Sequence, residues 1–156
     1  CGRSIPCWRR MAKKDKKIRP SGLSGSAGIV ASPPKIRKVS FSFKYFDHVR
    51  EKEFALDGPD GLTAQRAIDI LDRLRDLADF TALDLISNGS KSFRCHRVSW
   101  ENTPFKRGFH WIDPEICTNC YQISISTSKG RLQGFFIDDV FYIVWLDLHH
   151  KVYPRK

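Results

Sequence analysis

Residues 131 to 153 hold the groups of this chain best suited to binding phosphate and moving protons. Arg131 and Gln133 stand two apart in an alternating segment, and the apolar run 141–146 ends on Asp147, His149, His150, Lys151 and Tyr153. On an extended strand Arg131 and Gln133 share one face, so the guanidinium can hold a phosphate in its planar fork with the amide beside it. Histidine, with an unperturbed pKa of about 6.5, suits both acid and base roles near neutral pH. Metal-free RNA cleavage needs such groups: a base for the 2'-hydroxyl proton, cations for the charged phosphorane, and an acid for the leaving 5'-oxygen. If the chain stays extended past Asp147, His149 lies on the Asp147 side and His150 on the other, so one of the pair reaches a single site. The same residues also read as solvated charges that close a strand.

A second set lies upstream. His96 sits between Cys95 and Arg97, and Arg94, Arg97, Lys106 and Arg107 are interleaved with Phe93, Trp100, Phe105 and Trp111. Cations and aromatic rings in alternation offer phosphate contacts and base-stacking platforms, although Trp100 and Trp111 read equally as anchors of a core or lid. "CTNC", residues 117–120, has the spacing of half a zinc site, for which Cys95, His96 or His110 would have to supply the remaining ligands. A second CxxC is lacking. Free thiols, no metal and no cofactor are therefore expected.

The elements that must position these groups can be read from the periodicities. "KVSFSFKYF", residues 38–46, alternates Val39, Phe41, Phe43 and Tyr45 against Ser40, Ser42, Lys44 and Phe46, the pattern of a half-buried strand. Thr63 is placed to cap a helix running to about residue 80, with Ala64, Ala67, Ile68, Leu71, Leu74, Leu77 and Ala78 at helical spacing and Asp69, Asp72, Arg73 and Asp76 facing water. "TALD" repeats the cap pattern and predicts a short helix over 83–86, stopping at "SNGS". A short strand starts at Phe93, and residues 101–120 show no period, the mark of a functional connection or lid. Three strands follow: 121–126, 131–137 and 140–147. The run 141–146 is apolar on both faces and predicts the central strand of the sheet. The fold class is α+β: a strand, two helices, then an antiparallel sheet of three to four strands.

Charge divides the chain. Residues 1–38 carry eleven Lys and Arg against Asp15, whereas the rest holds sixteen bases and sixteen acids, with acids concentrated in 47–84 and bases in 91–131. Residues 1–36 read as a disordered basic arm, rich in Gly, Ser and Pro, and 37–156 as a single domain. Met11 precedes "AKKDKK", so "CGRSIPCWRR" reads as upstream sequence translated in frame. No apolar run has the length of a membrane span and no secretory core is visible, so a cytoplasmic protein without a membrane partner is expected.

The order of elements, with Arg131 in the meander and titratable groups after the last strand, resembles the RelE, YoeB and HigB superfamily of small bacterial toxins. These are ribosome-associated mRNA endonucleases, and their ParE-type relatives poison gyrase. The resemblance covers roughly residues 38–153 in element order and rests in residues on "GRLQGFFIDDVFYIVWLDLHHKVY". It implies a metal-independent endoribonuclease of a toxin-antitoxin system acting on mRNA, with RNA or the ribosome and a cognate antitoxin as partners. Arg131 matches the arginine that binds the scissile phosphate, and His149 or His150 with Tyr153 matches the C-terminal His and Tyr positions. Lys106 or Arg107 would assist, and Arg94, Arg97 and Gln133 would contact the nucleic acid. The connection 101–120 is longer than in those compact toxins, and their acidic base has no counterpart. A non-catalytic nucleic-acid-binding module and a protein-interaction module of a bacterial or phage-carried protein are the alternatives.

Overall fold

The computed structural model describes residues 36–87 and 93–154, all within one compact unit. The arm expected over 1–36 lies outside the described residues except for Ile36, as does the stop expected at "SNGS" beyond Ser87. Five strands form one mixed sheet: β1 (Ser40–Ser42), β2 (His96–Arg97), β3 (Cys120–Ser124), β4 (Arg131–Ile137) and β5 (Val140–Asp147), in the spatial order β1-β5-β4-β3-β2. Neighbours β2 to β5 pair antiparallel, while β1 pairs parallel with β5. The sheet is therefore mixed and not purely antiparallel: the N-terminal strand joins the four antiparallel strands as a parallel edge. β5 is an inner strand between β1 and β4, and the middle position belongs to β4, correcting the placement of the 141–146 run at the centre. Its apolarity on both faces follows from burial on both sides of an inner strand.

The helices form where their caps dictate. Thr63 Oγ1 accepts the Arg66 N–H at 3.2 Å at the start of α1 (Ala64–Leu77). Thr81 and Asp84 close a reciprocal capping box, Asp84 Oδ2 accepting the Thr81 N–H at 2.9 Å and Thr81 Oγ1 the Asp84 N–H at 3.1 Å, before α2 (Ala82–Ser87). α1 buries Ile70, Leu74 and Leu77, leaving Ile68 and Leu71 exposed. Arg73, expected to face water, instead donates from Nε to the Ser124 carbonyl at 2.8 Å, tying the helix to the end of β3. The first strand is also shorter than its alternation implies. The chain turns at residues 43–46, with the Phe46 N–H on the Phe43 carbonyl, leaving Phe43 exposed and Tyr45 on the opposite face from Val39.

Each face of the sheet carries its own core. α1 and α2 pack over Ile123, Leu132, Phe141, Ile143 and Leu146. The other face is covered by residues 98–119, a 3-10 turn over Lys52–Phe54, and Val152 and Tyr153. The stretch without a period is thus a packed cover made of successive turns, closed by Thr103 N–H on Trp100 O, Gly108 N–H on Phe105 O, Ile112 N–H on Phe109 O and Cys117 N–H on Asp113 O. Repeated turns leave no helical or strand period to detect.

A β-bulge sets the second core. Gln133 faces Trp145 but Gly134 faces Ile143, so Val144 is the extra residue and both Val144 and Trp145 point into the same core. Gly134 is required there, because a Cβ would lie 2.1 Å from the Tyr142 carbonyl oxygen. Among the described residues no helix is long and apolar enough to cross a membrane.

Asp147 ends β5 as a structural group. It is buried, and its two oxygens accept the backbone N–H of Lys151 at 2.7 Å and of Val152 at 3.0 Å. These bonds fold the C-terminal residues back over the second core and seat Tyr153. Asp147→Ala strands two donors, and hydrogen bonds to charged groups contribute about 1.5–3 kcal/mol. Urea titration should show a loss of about 2–3 kcal/mol; an unchanged midpoint would remove Asp147 as the anchor of this turn.

Candidate functional site

The strand register builds a polar row across the sheet. His96 pairs with Gln122, Gln122 with Gln133 and Gln133 with Trp145, so side chains from four strands line up on the face that carries the second core. One ladder step away, Ser124, Arg131 and Asp147 form a second line on that same face. Gln133 Nε2 donates to Gln122 Oε1 at 2.8 Å, and Gln122 Nε2 lies 3.2 Å from His96 Nε2. With the Gln122 amide donating, His96 Nε2 is an unprotonated acceptor.

The electrostatics agree. Partial burial of its ring holds the His96 pKa below the usual 6.5, and the nearby Arg131 charge pushes the same way, outweighing a hydrogen bond to the Arg94 backbone. His96 is neutral and basic near pH 7. Inverting both amides lets a protonated His96 donate to Gln122 Oε1 and Gln122 Nε2 donate to Gln133 Oε1, so the row can carry the histidine in either charge state. Gln133 Oε1 is buried and accepts no hydrogen bond, a cost of about 1–3 kcal/mol that native structures seldom leave without a reason.

Arg131 is half-buried and anchored, its Nη1 donating to the Ser126 carbonyl at 2.8 Å and the Gly130 carbonyl at 2.9 Å. Tyr153, half-buried, holds its phenol oxygen against Ser99, whose N–H donates to it at 3.0 Å, and its ring centroid lies 6.2 Å from that of His96. Beside this bond opens a groove of about 580 Å³ lined by Arg97, Val98, Ser99, Trp100, Glu101 and Lys106. Arg94, Arg97, Lys106 and Arg107 are all exposed, and Arg94 takes a left-handed φ of 45°.

The structure therefore groups Arg131, Gln133 and Tyr153 with His96 and Gln122, and sets Arg97 and Lys106 at the adjoining groove. His149 is placed elsewhere: its exposed ring puts Nε2 2.9 Å from the Asp60 carbonyl, the oxygen that also receives the Arg66 guanidinium beside the first turn of α1. His150 is half-buried with a left-handed φ of 58°. The chain does not stay extended past Asp147, so the two-sided arrangement of the histidines expected from alternation does not apply. Gln133 is fully buried, which removes it as a direct contact to nucleic acid and makes it a support for Gln122.

Sequence reasoning missed the role of Gln122 and the position of His96. Both become visible only through cross-strand register, since a polar residue in the alternating "YQISIS" reads as solvent-facing whereas Gln122 and Ser124 are buried. Comparison with family models, with curated proteins and with solved structures gives no match.

Depression of the His96 pKa has a consequence for stability. The folded chain disfavours protonated His96 relative to the unfolded chain, so the contribution is complete above about pH 6.5 and is lost as pH falls from there through the lower folded value. Melting temperature should decline over that window in the wild type and decline less in His96→Gln. Parallel curves for the two proteins would show that His96 is not held in its neutral form.

Proposed function

We propose that this chain binds RNA and cleaves it without a metal ion, in the manner of the RelE-like toxins that its sequence resembles. One observation carries the reading: His96 and Tyr153 stand together on the sheet face that also carries Arg131, with His96 joined to the buried Gln122 and Gln133 amides and Tyr153 bonded to Ser99 at the edge of a groove lined by Arg97 and Lys106. In this mechanism His96 Nε2, released from the Gln122 amide, takes the 2'-hydroxyl proton. The 2'-oxygen bonds to phosphorus, Arg131 offsets the charge that builds on the non-bridging oxygens, and the bond from phosphorus to the 5'-oxygen breaks. Tyr153 or Lys106 delivers a proton to that leaving oxygen. The products carry a 2',3'-cyclic phosphate and a 5'-hydroxyl. Arg94, Arg97 and Arg107 supply phosphate contacts, and Trp100 stands at the groove as a stacking surface.

The test is to incubate the protein with single-stranded RNA and with translating ribosomes, in chelator, and identify fragment ends. Cleavage leaving 5'-hydroxyl ends supports the reading. Salt-dependent binding without cleavage at any pH points to the non-catalytic module instead. A protein-interaction module, including docking of an antitoxin, draws on the helix side, where Ile68, Leu71 and Leu83 are 51%, 64% and 71% exposed. Robust capture of a protein partner that fails with Leu71→Ser and Leu83→Ser, in a chain that binds no RNA, selects it.

A further inference from the structure

The second core ends in a chemical feature that phosphodiester cleavage does not use. Cys117 and Cys120 bring their sulfurs to 3.3 Å, and the Trp100 indole N–H points at Cys120 Sγ, also at 3.3 Å. Cys120 opens β3, fixed by the Val98 N–H on its carbonyl, while Cys117 closes a turn through its N–H on the Asp113 carbonyl. Both sulfurs therefore approach from anchored backbone. A cavity of about 290 Å³ is lined by the two cysteines together with Trp100, Arg107, Phe109 and His110. Arg107 and His110 are exposed at the cavity, the cationic side chain suited to a carboxylate. Among the described residues no group of three or more His, Cys, Asp or Glu is placed to hold a metal ion.

We infer that Cys117 and Cys120 form a redox-active dithiol that exchanges with small disulfides bearing carboxylates, received in this cavity. Hydrogen bonds from Cys117 and from the Trp100 indole, with the Arg97 charge, lower the Cys120 pKa against the opposing effect of burial, while the bond to Cys120 and burial raise that of Cys117. The thiolate therefore resides on Cys120. In the first step Cys120 Sγ attacks one sulfur of the disulfide, whose S–S bond breaks to expel a thiolate that takes a proton from water. In the second, Cys117 Sγ attacks Cys120 Sγ, the mixed disulfide breaks, and the departing thiolate takes the Cys117 proton. Two protein thiols are oxidised and one small disulfide is reduced to two thiols. The closed Cys117–Cys120 bond locks the turn against the start of β3.

Oxidised glutathione is the probe. The 156-residue chain is equilibrated with graded ratios of oxidised to reduced glutathione, quenched by alkylation and read peptide by peptide, so that Cys1 and Cys7 are counted apart. The expected result is an internal Cys117–Cys120 disulfide, a glutathione adduct that accumulates on Cys120 in Cys117→Ser, and alkylation of Cys120 at least about tenfold faster than of Cys95. Cys95 is the internal control, since burial pushes its thiol up to about 12. Both single variants are checked by melting for retention of the fold. Absence of the internal disulfide at every ratio, a zinc ion bound through Cys117 and Cys120 in its place, or equal labelling of Cys95 and Cys120 would overturn the inference.

Discussion

Replacing Trp145 with alanine should cost about 3–5 kcal/mol and leave little folded protein at physiological temperature. The indole is fully buried, stacked on Phe54 with ring centroids 4.3 Å apart at 18°, and bordered by Trp100, Phe105, Phe109 and Trp111. Residues 98–119 hold no α-helix or strand, only the single 3-10 turn Trp100–Asn102, so these rings are what hold the cover to the sheet. Trp145 also donates from Nε1 to Asp47 Oδ2 at 3.3 Å. Burial would raise the Asp47 pKa, but the Arg50 N–H, this indole, the Val49 N–H and the Arg50 guanidinium together hold it below 3.8. Truncation therefore opens a cavity and strips a buried carboxylate of one donor. Trp145→Phe separates the two effects, keeping most of the packing and losing only the hydrogen bond, at about 1–2 kcal/mol. Equilibrium urea unfolding measures both; a loss below about 1 kcal/mol for Trp145→Ala would mean that the aromatic cluster does not hold the cover.

The second large effect is on chemistry. Arg131→Ala should lower single-turnover RNA cleavage about 10²- to 10³-fold, the size seen when a donor to a developing oxyanion is removed. Its carbonyl partners at Ser126 and Gly130 fix the guanidinium near His96, so Arg131→Lys, which lacks the planar fork, should recover only part of the loss. The melting temperature should move little, because the strand ladder does not depend on this side chain. Cleavage unchanged in Arg131→Ala would take the phosphate site away from this face.

Much of the fold is legible in the sequence where the information is local. Thr63, and Thr81 with Asp84, are caps whose partners lie three residues away, and they place both helices. The turns at 127–130 and 138–139 likewise separate the three meander strands. What local pattern does not carry is pairing. The parallel match of Ser40–Ser42 with β5, the bulge at Val144, and the row from His96 through Gln122 to Gln133 each depend on residues nine to a hundred positions apart. Asp147 and His149 attract attention at the end of an apolar run, yet one anchors a turn and the other rests on the Asp60 carbonyl. His96 carries no local signal beyond its basic neighbours.

In the proposed mechanism the proton-transferring histidine is His96, on the face that carries Arg131, rather than the C-terminal pair. Single-turnover cleavage of a labelled single-stranded RNA, in chelator, by the wild type, His96→Ala and the double variant His149→Ala/His150→Ala measures this directly. The expected result is a loss of about 10²- to 10⁴-fold in His96→Ala with the fold retained, and a rate within a few-fold of wild type in the double variant. Full activity in His96→Ala, or its abolition in the double variant alone, would contradict it.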